Sequence, residues 1–497
     1  MEDEIASMKA HGVWSLVDPP KNRKPISSKW IFKVKTNAEN EIDRFRARLV
    51  VRGNNQIEGL DYQELFAPVA RMDSIRALLA ICASKHMKLR QFDITTAFLY
   101  GDLAEDIYML QPPGFNDHSG RVCHLAKSLY GLKQSPRCFN KKLAQVLRDL
   151  NLTQSQADNC LYFWHGPANE LLMLAVYVDD GVLASTHEHL IDKTLDKIGK
   201  VFKIKTSPLS LFLGIHIHID KQHNIWLNQY KYIRNILKRF DMHECRPHSI
   251  PADSGIYNIP PAEGPRKIER PYREIVGALM FLAISTRPDI AFAVGFLSRF
   301  LDKYSEEHWN AALKILHYLQ GTSDLSIVYS GKTGTSVADT LRFYSDADFA
   351  ACKETRRSVS GSIATLTGGP ILWSSTQQHS VSLSTTESEF YAIADCSKAS
   401  LWLRTLFKEL KLSVTPVVYV DNQAALKLIH NPQFHKRTKH IAVRFLFVRE
   451  TYERKQIEYK YIPTSENLAD ALTKPLNKPI FEKLRSLINL QPWPTPQ

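Results

Sequence analysis

The sequence has no long hydrophobic run and few cysteines. Its longest uninterrupted apolar stretch covers only ten residues, 275–284, whereas a membrane-spanning helix needs about 20. The chain begins with an acidic segment where a secretory signal would be basic and then apolar, so export is not expected. The seven cysteines are odd in number and include no Cys-x-x-Cys pair. This argues against a disulfide framework and favours reduced thiols in an intracellular compartment.

The composition is that of a globular protein with an excess of positive charge. Apolar residues make up 44% and charged residues 23% of the 497 residues, which excludes disorder of the whole chain and is typical of three or four folding units. The net charge is +13 and the pI about 9.2. Such an excess favours a polyanionic partner, because lysine and arginine replace condensed counterions on a phosphate backbone. A merely solubilising charge is the alternative.

Three zones follow one another along the chain. Up to about residue 250, short strands alternate with amphipathic helices, and bases alternate with apolar residues at 29–35 and 44–52, which suits strands with one basic face. Prolines crowd between residues 247 and 271 and predict a linker. Helical periodicity over 274–300 and 306–320 predicts a small helical module.

A mixed sheet is predicted in the third zone. Three strands in succession indicate an antiparallel meander, and the strands that follow alternate with helices, which indicates parallel crossovers. The predicted elements are strands at 341–349, 358–366 and 371–382, a helix over 384–410, a strand at 417–420, a helix from 422, a strand at 457–462 and a final helix near 467.

A first set of carboxylates lies between apolar strands. Asp179 and Asp180 interrupt the apolar segment 171–184, so a β-hairpin would place both carboxylates where they need a counter-charge. Mg²⁺ would supply it, since Mg²⁺ prefers carboxylate and phosphate oxygens. An ordinary Asp-Gly turn is the alternative. Asp93 lies at the end of another short segment that is predicted to lead into a strand. It is the candidate for the third carboxylate that a two-metal site requires.

Three segments carry a specific resemblance. Phe-Asp-Ile-Thr-Thr-Ala-Phe-Leu at 92–99, Ser-Leu-Tyr-Gly-Leu-Lys-Gln-Ser-Pro-Arg at 128–137 and Tyr-Val-Asp-Asp at 177–180 occur in that order. They resemble the palm motifs of reverse transcriptases, in the form found in copia-like long-terminal-repeat retrotransposons. The likeness extends over nearly the whole chain, with further similar segments at 29–35, 47–50, 66–70, 111–115 and 212–215.

The resemblance implies an RNA-directed DNA polymerase with a two-metal site. Asp93 and Asp179 would bind two Mg²⁺ or Mn²⁺ ions, with Asp180 as a weaker ligand or electrostatic support, because adjacent strand residues point to opposite faces. Phe98 would exclude ribonucleotides by steric contact with the sugar, although core packing is its alternative role. The residues implied at the nucleotide are Arg48, Lys33 or Lys35, Phe98, Tyr130 and Gln134. The implied primer grip contains Phe212, Leu213 and Gly214.

A second set of carboxylates lies in the C-terminal zone. Asp346, Glu389, Asp421 and Asp470 sit on strands and helices of the predicted mixed sheet, and hard oxygen ligands favour Mg²⁺ or Mn²⁺ over zinc. Each one alone is more typical of a solvated surface group or a helix-start acid. Glu389 is preferred to Glu387 because it shares a helical face with apolar residues that pack on the sheet.

The order of this second set resembles ribonuclease H. Segments 384–392 and 437–440 are again copia-like, and the resemblance implies hydrolysis of the RNA strand in RNA–DNA hybrids with two ions. Arg437, Lys439 and His440 would contact nucleic acid, and Asp348 would be exposed or support a ligand. Ala442 and Leu446 depart from the family pattern, which has Asp and His there, so substrate contacts or turnover by this part are in doubt.

The expected architecture is an α+β chain with a right-hand polymerase followed by a mixed-sheet ribonuclease H-like domain. Fingers and palm would cover residues 1–225, thumb and linking helices 226–335, the nuclease 336–480 and a tail 481–497. The expected partners are an RNA template, a DNA primer, RNA–DNA hybrid, deoxynucleoside triphosphates and the remainder of a Pol polyprotein, of which the chain resembles the C-terminal part. No membrane partner is expected, and the family resemblance implies cytoplasmic particles with a DNA product bound for the nucleus. The alternative is a decayed or domesticated relic that binds nucleic acid or a partner without turnover.

Overall fold

A computed structural model describes residues 1–36, 42–262, 269–332, 336–431 and 442–494. The chain divides into two compact units, each discontinuous in sequence. The first unit contains residues 1–70 and 89–208, and the second contains residues 71–88 and 209–497. The finer division at residues 225, 335 and 480 stays a prediction.

Helices and strands alternate through the first 208 residues. In chain order the elements are α1 (Glu2–Ala10), β1 (Trp14–Val17), β2 (Ser28–Thr36), β3 (Ile42–Val51), α2 (Met72–Ser84), β4 (Lys88–Ile94), β5 (Asp102–Met109), β6 (Val122–Lys127), α3 (Ser135–Asp149), β7 (Thr153–Gln154), β8 (Leu161–His165), β9 (Leu171–Tyr177), β10 (Asp180–Ser185), α4 (Glu188–Gly199) and β11 (Ile204–Pro208).

The remaining elements include most of the helical content. They are β12 (Leu211–Phe212), β13 (Ile215–Ile219), β14 (Ile225–Asn228), α5 (Tyr230–Arg239), α6 (Tyr272–Ser285), α7 (Ala291–Leu297), α8 (Glu306–Gln320), β15 (Leu325–Tyr329), β16 (Arg342–Ala347), β17 (Val359–Leu366), β18 (Gly369–Gln377), α9 (Thr385–Glu409), β19 (Val417–Val420), α10 (Gln423–His430), α11 (Ala442–Glu453), β20 (Glu458–Tyr461), α12 (Lys478–Leu487) and β21 (Leu490–Pro492).

The first unit contains a six-stranded sheet in the order β11-β4-β10-β9-β8-β7, a three-stranded sheet β1-β6-β5 and the hairpin β2-β3. Helices α3 and α4 pack their apolar faces on the six-stranded sheet, where Phe139, Leu147 and Ile198 join Leu174 and Leu183 in one buried cluster. Burial of these side chains fixes which face of β9 and β10 points inward. The two central strands thereby hold their connecting turn in a defined position.

The second unit contains two five-stranded sheets. One is antiparallel, in the order β12-β13-β14-β15-β21. The other has the order β18-β17-β16-β19-β20, with antiparallel pairing from β18 to β16 and parallel pairing from β16 to β20. This is the predicted mixed sheet with its leading meander. Helices α5 to α8 and α12 share a separate buried cluster.

Two predicted helices differ in the structure. The helix expected over 274–300 is broken into α6 and α7, because Pro288 begins a short 3₁₀ turn and cannot donate the hydrogen bond that a continuous helix requires. Arg287 and Asp289 form a fully buried ion pair at the break, 2.8 Å long. The helix expected near 467 is a 3₁₀ turn, Leu468–Leu472, and α12 follows it.

The predicted α+β class is confirmed by these elements. The assignment of fingers, palm and thumb to them stays a prediction. None of the described helices combines the length and apolar composition needed to cross a bilayer.

Candidate active sites

The turn between β9 and β10 presents two of the predicted carboxylates. The pairing register leaves Val178 and Asp179 as a two-residue turn. Val178 has a φ of 58°, and this left-handed conformation is costly for a β-branched residue and is typical of functional sites. Gly181 follows because a Cβ at that position would lie 2.3 Å from the ring of Phe92 on β4. The Asp-Asp-Gly order therefore allows β10 to lie close against β4.

Asp93 lies on the strand next to that turn. β4 and β10 are neighbours in the sheet, and the Ile94 amide donates a hydrogen bond to the Asp179 carbonyl oxygen over 2.9 Å. Burial, and then the charge of Asp93, raises the pKa of Asp179. Burial, followed by the charges of Asp179 and Asp93, raises the pKa of Asp180 to about 6. The three carboxylates, Asp93, Asp179 and Asp180, lie on two neighbouring strands and their connecting turn, and are named here the hairpin cluster.

Aromatic and basic side chains surround the hairpin cluster. The Arg48 guanidinium lies over the Tyr130 ring, 4.7 Å from its centroid. The Tyr130 and Phe98 rings meet edge to face at 5.0 Å. Burial raises the pKa of Tyr130. The positive charge of Arg48 lowers this pKa, and the negative charge of Asp179 raises it. Arg48 Nε is buried without a hydrogen-bond partner, so this guanidinium retains donor capacity toward a ligand.

The β2-β3 hairpin supplies a second arginine that the sequence analysis did not select. Lys33 is opposite Arg46 and Ile31 is opposite Arg48, so Lys33, Arg46 and Arg48 share one face of the hairpin. Lys33 is exposed. The charges of both arginines act on Asp179. The alternation of bases over residues 44–48 was the available signal, because side chains two apart on a strand face the same side.

Gln134 differs from the other predicted nucleotide-binding residues. It is 1% exposed. Its side-chain oxygen Oε1 accepts a hydrogen bond from Gln56 Nε2 over 3.0 Å. Its side-chain nitrogen Nε2 donates one to the Asp61 backbone carbonyl over 2.8 Å. Gly131, with φ of 95°, allows this loop to approach β3, because a Cβ there would lie 2.1 Å from the Val51 carbonyl oxygen. Gln134 thus holds the loop that positions Tyr130, and a direct contact with nucleotide stays a prediction.

The residues of the predicted primer grip form a tight hairpin in the second unit. Phe212 pairs with Ile215, and Leu213 and Gly214 form the turn with φ values of 51° and 77°. Two successive left-handed residues are typical of a type I′ turn. Phe212 is buried. The predicted nucleic-acid contacts Arg437, Lys439 and His440 lie outside the described residues.

Three residues of the second predicted set lie together at one end of the mixed sheet. Asp346 is on β16, Asp421 follows β19, and Glu389 is near the start of α9. Parallel pairing aligns Ser345 with Val420, which puts the two aspartates side by side. One carboxylate oxygen from each of the three residues lies within 4.8 Å of the others. Within the described ranges, this is the one group of three or more His, Cys, Asp or Glu ligands that meets this distance.

The two neighbouring glutamates of α9 have different surroundings. The Glu387 carboxylate accepts a hydrogen bond from the Leu383 amide over 2.7 Å, and the Ser384 hydroxyl accepts one from the Glu387 amide. These bonds cap the helix start. Glu389 instead joins Asp346 and Asp421, and its Oε2 is buried without a hydrogen-bond partner. The geometry therefore places Glu389, and not Glu387, among the possible ligands.

Asp470 completes the second set from the 3₁₀ turn. Asn467 anchors this turn by donating a hydrogen bond from Nδ2 to the Ser345 carbonyl over 3.0 Å. Lys474 Nζ lies 3.0 Å from Asp470 Oδ1 and 3.7 Å from Asp346 Oδ2. The Thr473 hydroxyl donates a hydrogen bond to Asp346 Oδ2. The four acids Asp346, Glu389, Asp421 and Asp470 are named here the sheet cluster.

Burial is the main influence on the titration of the sheet cluster. Burial, and then the charges of Asp346 and Asp421, raises the pKa of Glu389 well above its ordinary value. Burial followed by Asp346 raises the pKa of Asp421, and raises that of Asp470 to about 7. Carboxylates that raise one another's pKa are stabilised by a bound cation.

Asp348 and Leu446 are two further positions singled out in the sequence. Asp348 is buried, and one of its oxygens accepts a hydrogen bond from the Val359 amide. Of its two predicted alternatives, exposure is therefore wrong. Leu446 lies on α11 and is 56% exposed, whereas Phe445 beside it is buried against Phe390 of α9. Lys474 was not predicted, because nothing in the local sequence pattern distinguishes it from a surface lysine.

The sheet cluster fits a hard divalent cation. Its ligands are all carboxylate oxygens, which Mg²⁺ and Mn²⁺ prefer. The buried Glu389 Oε2 has no protein partner, and a buried charged oxygen without one is costly unless a cation pairs with it. The hairpin cluster offers the same ligand type in a more open arrangement, with Asp93 exposed. Triphosphate oxygens could complete a coordination shell there.

Comparisons with known proteins agree with the sequence motifs. Residues 11–254 match the family described as reverse transcriptase (RNA-dependent DNA polymerase). The chain is 38% identical over 502 residues to the retrovirus-related Pol polyprotein from transposon TNT 1-94 of Nicotiana tabacum, covering 99% of this chain and 37% of that protein. It is also 38% identical over 500 residues to the Pol polyprotein from transposon RE1 of Arabidopsis thaliana, covering 99% of this chain and 33% of that protein.

A shorter relative and one solved structure extend the comparison. A putative transposon Ty5-1 protein of Saccharomyces cerevisiae is 30% identical over 307 residues, which are 61% of this chain and 98% of that protein. The structure of the foamy viral protease-reverse transcriptase in complex with RNA/DNA hybrid has a TM-score of 0.47 and 16% identity, covering 93% of this chain and 52% of that one. The chain spans about a third of the length of the plant Pol polyproteins that it matches.

Proposed function

Because this chain belongs to the reverse transcriptase family of copia-type transposon Pol polyproteins, we propose that it extends a DNA primer on an RNA template. The proposal includes a second activity, hydrolysis of the RNA strand in RNA–DNA hybrids. One observation carries the polymerase proposal, namely the position of Asp93 on the strand beside the Asp179–Asp180 turn. That position brings carboxylates from two separate segments of the sequence onto neighbouring strands and their connecting turn.

In this proposal the hairpin cluster holds two Mg²⁺ or Mn²⁺ ions. When bound, such ions lower the pKa of an attacking hydroxyl and neutralise charge on the reacting phosphates. Asp93 and Asp179 are the main ligands, and Asp180 supports them. Arg48, together with Lys33 on the same hairpin face, binds the triphosphate as a charge-assisted donor.

The aromatic side chains select and orient the nucleotide. Phe98 excludes a 2′-hydroxyl by contact with the sugar, and its edge-to-face contact with Tyr130 holds that ring in place. Tyr130 in turn packs beneath Arg48. Gln134 acts through the loop that it anchors. Phe212, Leu213 and Gly214 hold the primer end through their tight turn.

The sheet cluster hydrolyses the RNA strand with the same kind of ions. Asp346, Glu389 and Asp421, whose carboxylate oxygens lie within 4.8 Å of one another, would hold one ion, and Asp470 with Asp346 would hold the second. The 2′-hydroxyl identifies the strand to be cut. Arg437, Lys439 and His440, outside the described residues, contact the hybrid.

The proposed partners are nucleic acids and the other parts of a polyprotein. A net charge of +13 favours binding to the backbone of an RNA template, a DNA primer and their hybrid without sequence readout. Deoxynucleoside triphosphates are the substrates. We place the activity in cytoplasmic particles, with the DNA product bound for the nucleus, on the family resemblance alone.

The alternative of a relic that binds without turnover is not favoured. The acids of both clusters are present, and each set is brought together by the fold. The departures at Ala442 and Leu446 fall outside these acids. They concern the nuclease proposal and leave the hairpin cluster unaffected.

A primer-extension assay on an RNA template with Mg²⁺ tests the polymerase proposal. We expect incorporation by the natural chain and none by Asp179→Asn. A matched control is Asp196→Asn, which removes an exposed carboxylate of α4 and should leave incorporation unchanged. Tight hybrid binding by a folded natural chain without any incorporation would contradict the proposal and support the relic.

A further inference from the structure

One positive side chain lies inside the sheet cluster. Lys474 follows the 3₁₀ turn, and its ammonium contacts Asp470 at 3.0 Å and Asp346 at 3.7 Å. It is the one lysine or arginine of the described residues that forms an ion pair with any of the four acids. The side chain is 36% exposed, whereas those of Asp346 and Asp470 are 3% and 6% exposed. The lysine therefore reaches the buried acids from the solvent side.

The ion pairs of Lys474 divide the sheet cluster into a neutralised edge and an edge without such a pair. Lys474 neutralises the edge formed by Asp346 and Asp470. On the other edge, Glu389 and Asp421 form no ion pair with any lysine or arginine in the described part of the chain, and Glu389 Oε2 has no hydrogen-bond partner. A cation entering between Asp346, Glu389 and Asp421 meets two acids without such an ion pair, and a third, Asp346, that lies 3.7 Å from Lys474. A cation entering beside Asp470 has to replace a charge that is already present.

The acids on the lysine side are fixed more firmly than the lysine. Asn467 anchors the 3₁₀ turn to β16, and Thr473 donates a hydrogen bond to Asp346. Gly361 on β17 allows the turn to pack closely, since a Cβ there would lie 2.6 Å from Thr473 Cγ2. Lysine has a flexible four-carbon stem and a strongly hydrated head. Lys474 can leave for solvent while the carboxylates keep their positions.

We propose that Lys474 is a built-in competitor for the second metal ion of the sheet cluster. The first divalent cation binds at Asp346, Glu389 and Asp421, and the second binds only when the Lys474 ammonium leaves Asp470. Two ions thus bind in a fixed order and with unequal affinity. This inference rests on the proposed nuclease function, because it takes the sheet cluster to be a metal site.

Mn²⁺ binding to the full chain tests the order directly. Free Mn²⁺ is followed by electron paramagnetic resonance, in an Asp179→Asn background that weakens binding at the hairpin cluster. We expect one tight and one weak site at the sheet cluster. Lys474→Met should tighten the weak site on the order of tenfold, a modest factor because the ion pair is partly exposed. It should tighten the tight site less, because Lys474 lies closer to Asp470 than to Asp346. Lys474→Arg should preserve the inequality.

The control and the second measurement separate competition from a structural role. Lys478→Met removes an exposed lysine four residues further on and should change neither site. Lys474→Met should also lower the melting temperature in metal-free buffer and regain it with Mn²⁺, since Mn²⁺ restores the missing charge. A lysine that merely supports the fold would lower the melting temperature without tightening any site, and this result would overturn the inference.

Other outcomes distinguish the inference from the proposed function. Two sites of equal affinity in the Asp179→Asn chain, or a second site weakened by Lys474→Met, would contradict the competitor role and leave the metal site standing. If the sheet cluster binds no Mn²⁺ in the Asp179→Asn chain and gains none when Lys474→Met or Lys474→Arg is added, the metal site itself fails, and the competitor role fails with it.

Discussion

The hairpin cluster and the sheet cluster use the same kind of ligand in different settings. The hairpin cluster lies at a strained two-residue turn, with Asp93 exposed and Asp179 half-buried. In the sheet cluster Asp346, Glu389 and Asp470 are buried and Asp421 is half-buried. Carboxylate oxygens of three of its acids lie within 4.8 Å of one another. Arginines near the hairpin cluster belong to the opposite β2-β3 hairpin, whereas Lys474 lies within the sheet cluster itself.

The difference indicates how each cluster would acquire its cations. A buried group of acids already close together binds a cation strongly even without substrate, because burial raises the cost of leaving the charges unpaired. An open group at a turn needs further oxygens, and a triphosphate can supply them. We therefore expect the sheet cluster to be preformed and the hairpin cluster to be completed by its substrate.

The largest expected effect is the separation of the two activities by single substitutions. Glu389→Gln should reduce hybrid cleavage on the order of a thousandfold, because it replaces an ionised ligand by a neutral one. Primer extension should stay within twofold. Asp93→Asn should give the reverse pattern. Both assays use the same preparations, so the activity that each variant retains shows that it is folded. Loss of both activities in either variant would contradict two independent sites.

Metal binding without substrate should distinguish the clusters next. At a concentration of about one hundred times the dissociation constant, an ion that binds only the folded state stabilises it by about 2.7 kcal/mol. Thermal unfolding with and without Mn²⁺ should show this gain in the natural chain and in Asp93→Asn. Glu389→Gln should lose most of it. A gain that depends on Asp93 and not on Glu389 would reverse the comparison.

In metal-free buffer, removal of one negative charge from each cluster should have a smaller effect on stability, and the same two variants test it. Burial and neighbouring acids raise the pKa of Glu389, so its ionised form destabilises the folded state above its unfolded pKa. Glu389→Gln should therefore increase the unfolding free energy at pH 8, and by more than Asp93→Asn changes it. Asp93→Asn, at an exposed position, should change it by less than about 0.5 kcal/mol.

The pH dependence provides the sign of that effect. An acid whose pKa is raised by folding is protonated in both states at low pH, so it does not destabilise the folded state below its unfolded pKa. The destabilisation develops as the pH rises above the unfolded pKa toward the folded pKa. The advantage of Glu389→Gln should shrink as denaturant unfolding is repeated from pH 8 down to pH 5. An advantage that is constant over this range would mean that repacking, and not charge, causes it.

The sequence predicted the strands that hold the acids better than the segments between them. Continuous apolar runs predicted β9 and β10, and strand-like segments separated by a Gly-Gly-Pro turn predicted the meander β16 to β18. Helix α11 was not predicted, since its apolar residues do not form one clean stripe. It packs instead through Phe445 against Phe390 of α9, and tertiary contact of this kind overrides local propensity.

The position of Asp470 shows what sequence alone could not supply. The family resemblance selected the residue, but local pattern predicted a helix where a 3₁₀ turn brings it to Asp346. The turn depends on Asn467 reaching the Ser345 carbonyl, 122 residues away in sequence. The same long-range contact positions Lys474, which follows the turn and contacts Asp470 and Asp346. A lysine beside an acid is common on surfaces, so only the fold shows that this one lies within the sheet cluster.

The smallest expected effect concerns the family's missing histidine. Leu446 is 56% exposed on α11, so Leu446→His should cost little stability. If the nuclease has lost a substrate contact at this position, the substitution should raise hybrid cleavage a few-fold, which is less than about 1 kcal/mol in barrier height. Primer extension should not change. Leu446→Gln is the matched control, because it adds polarity without an imidazole. An equal gain in both variants would assign the effect to polarity on α11, and no gain in either would show that the sheet cluster works without that contact.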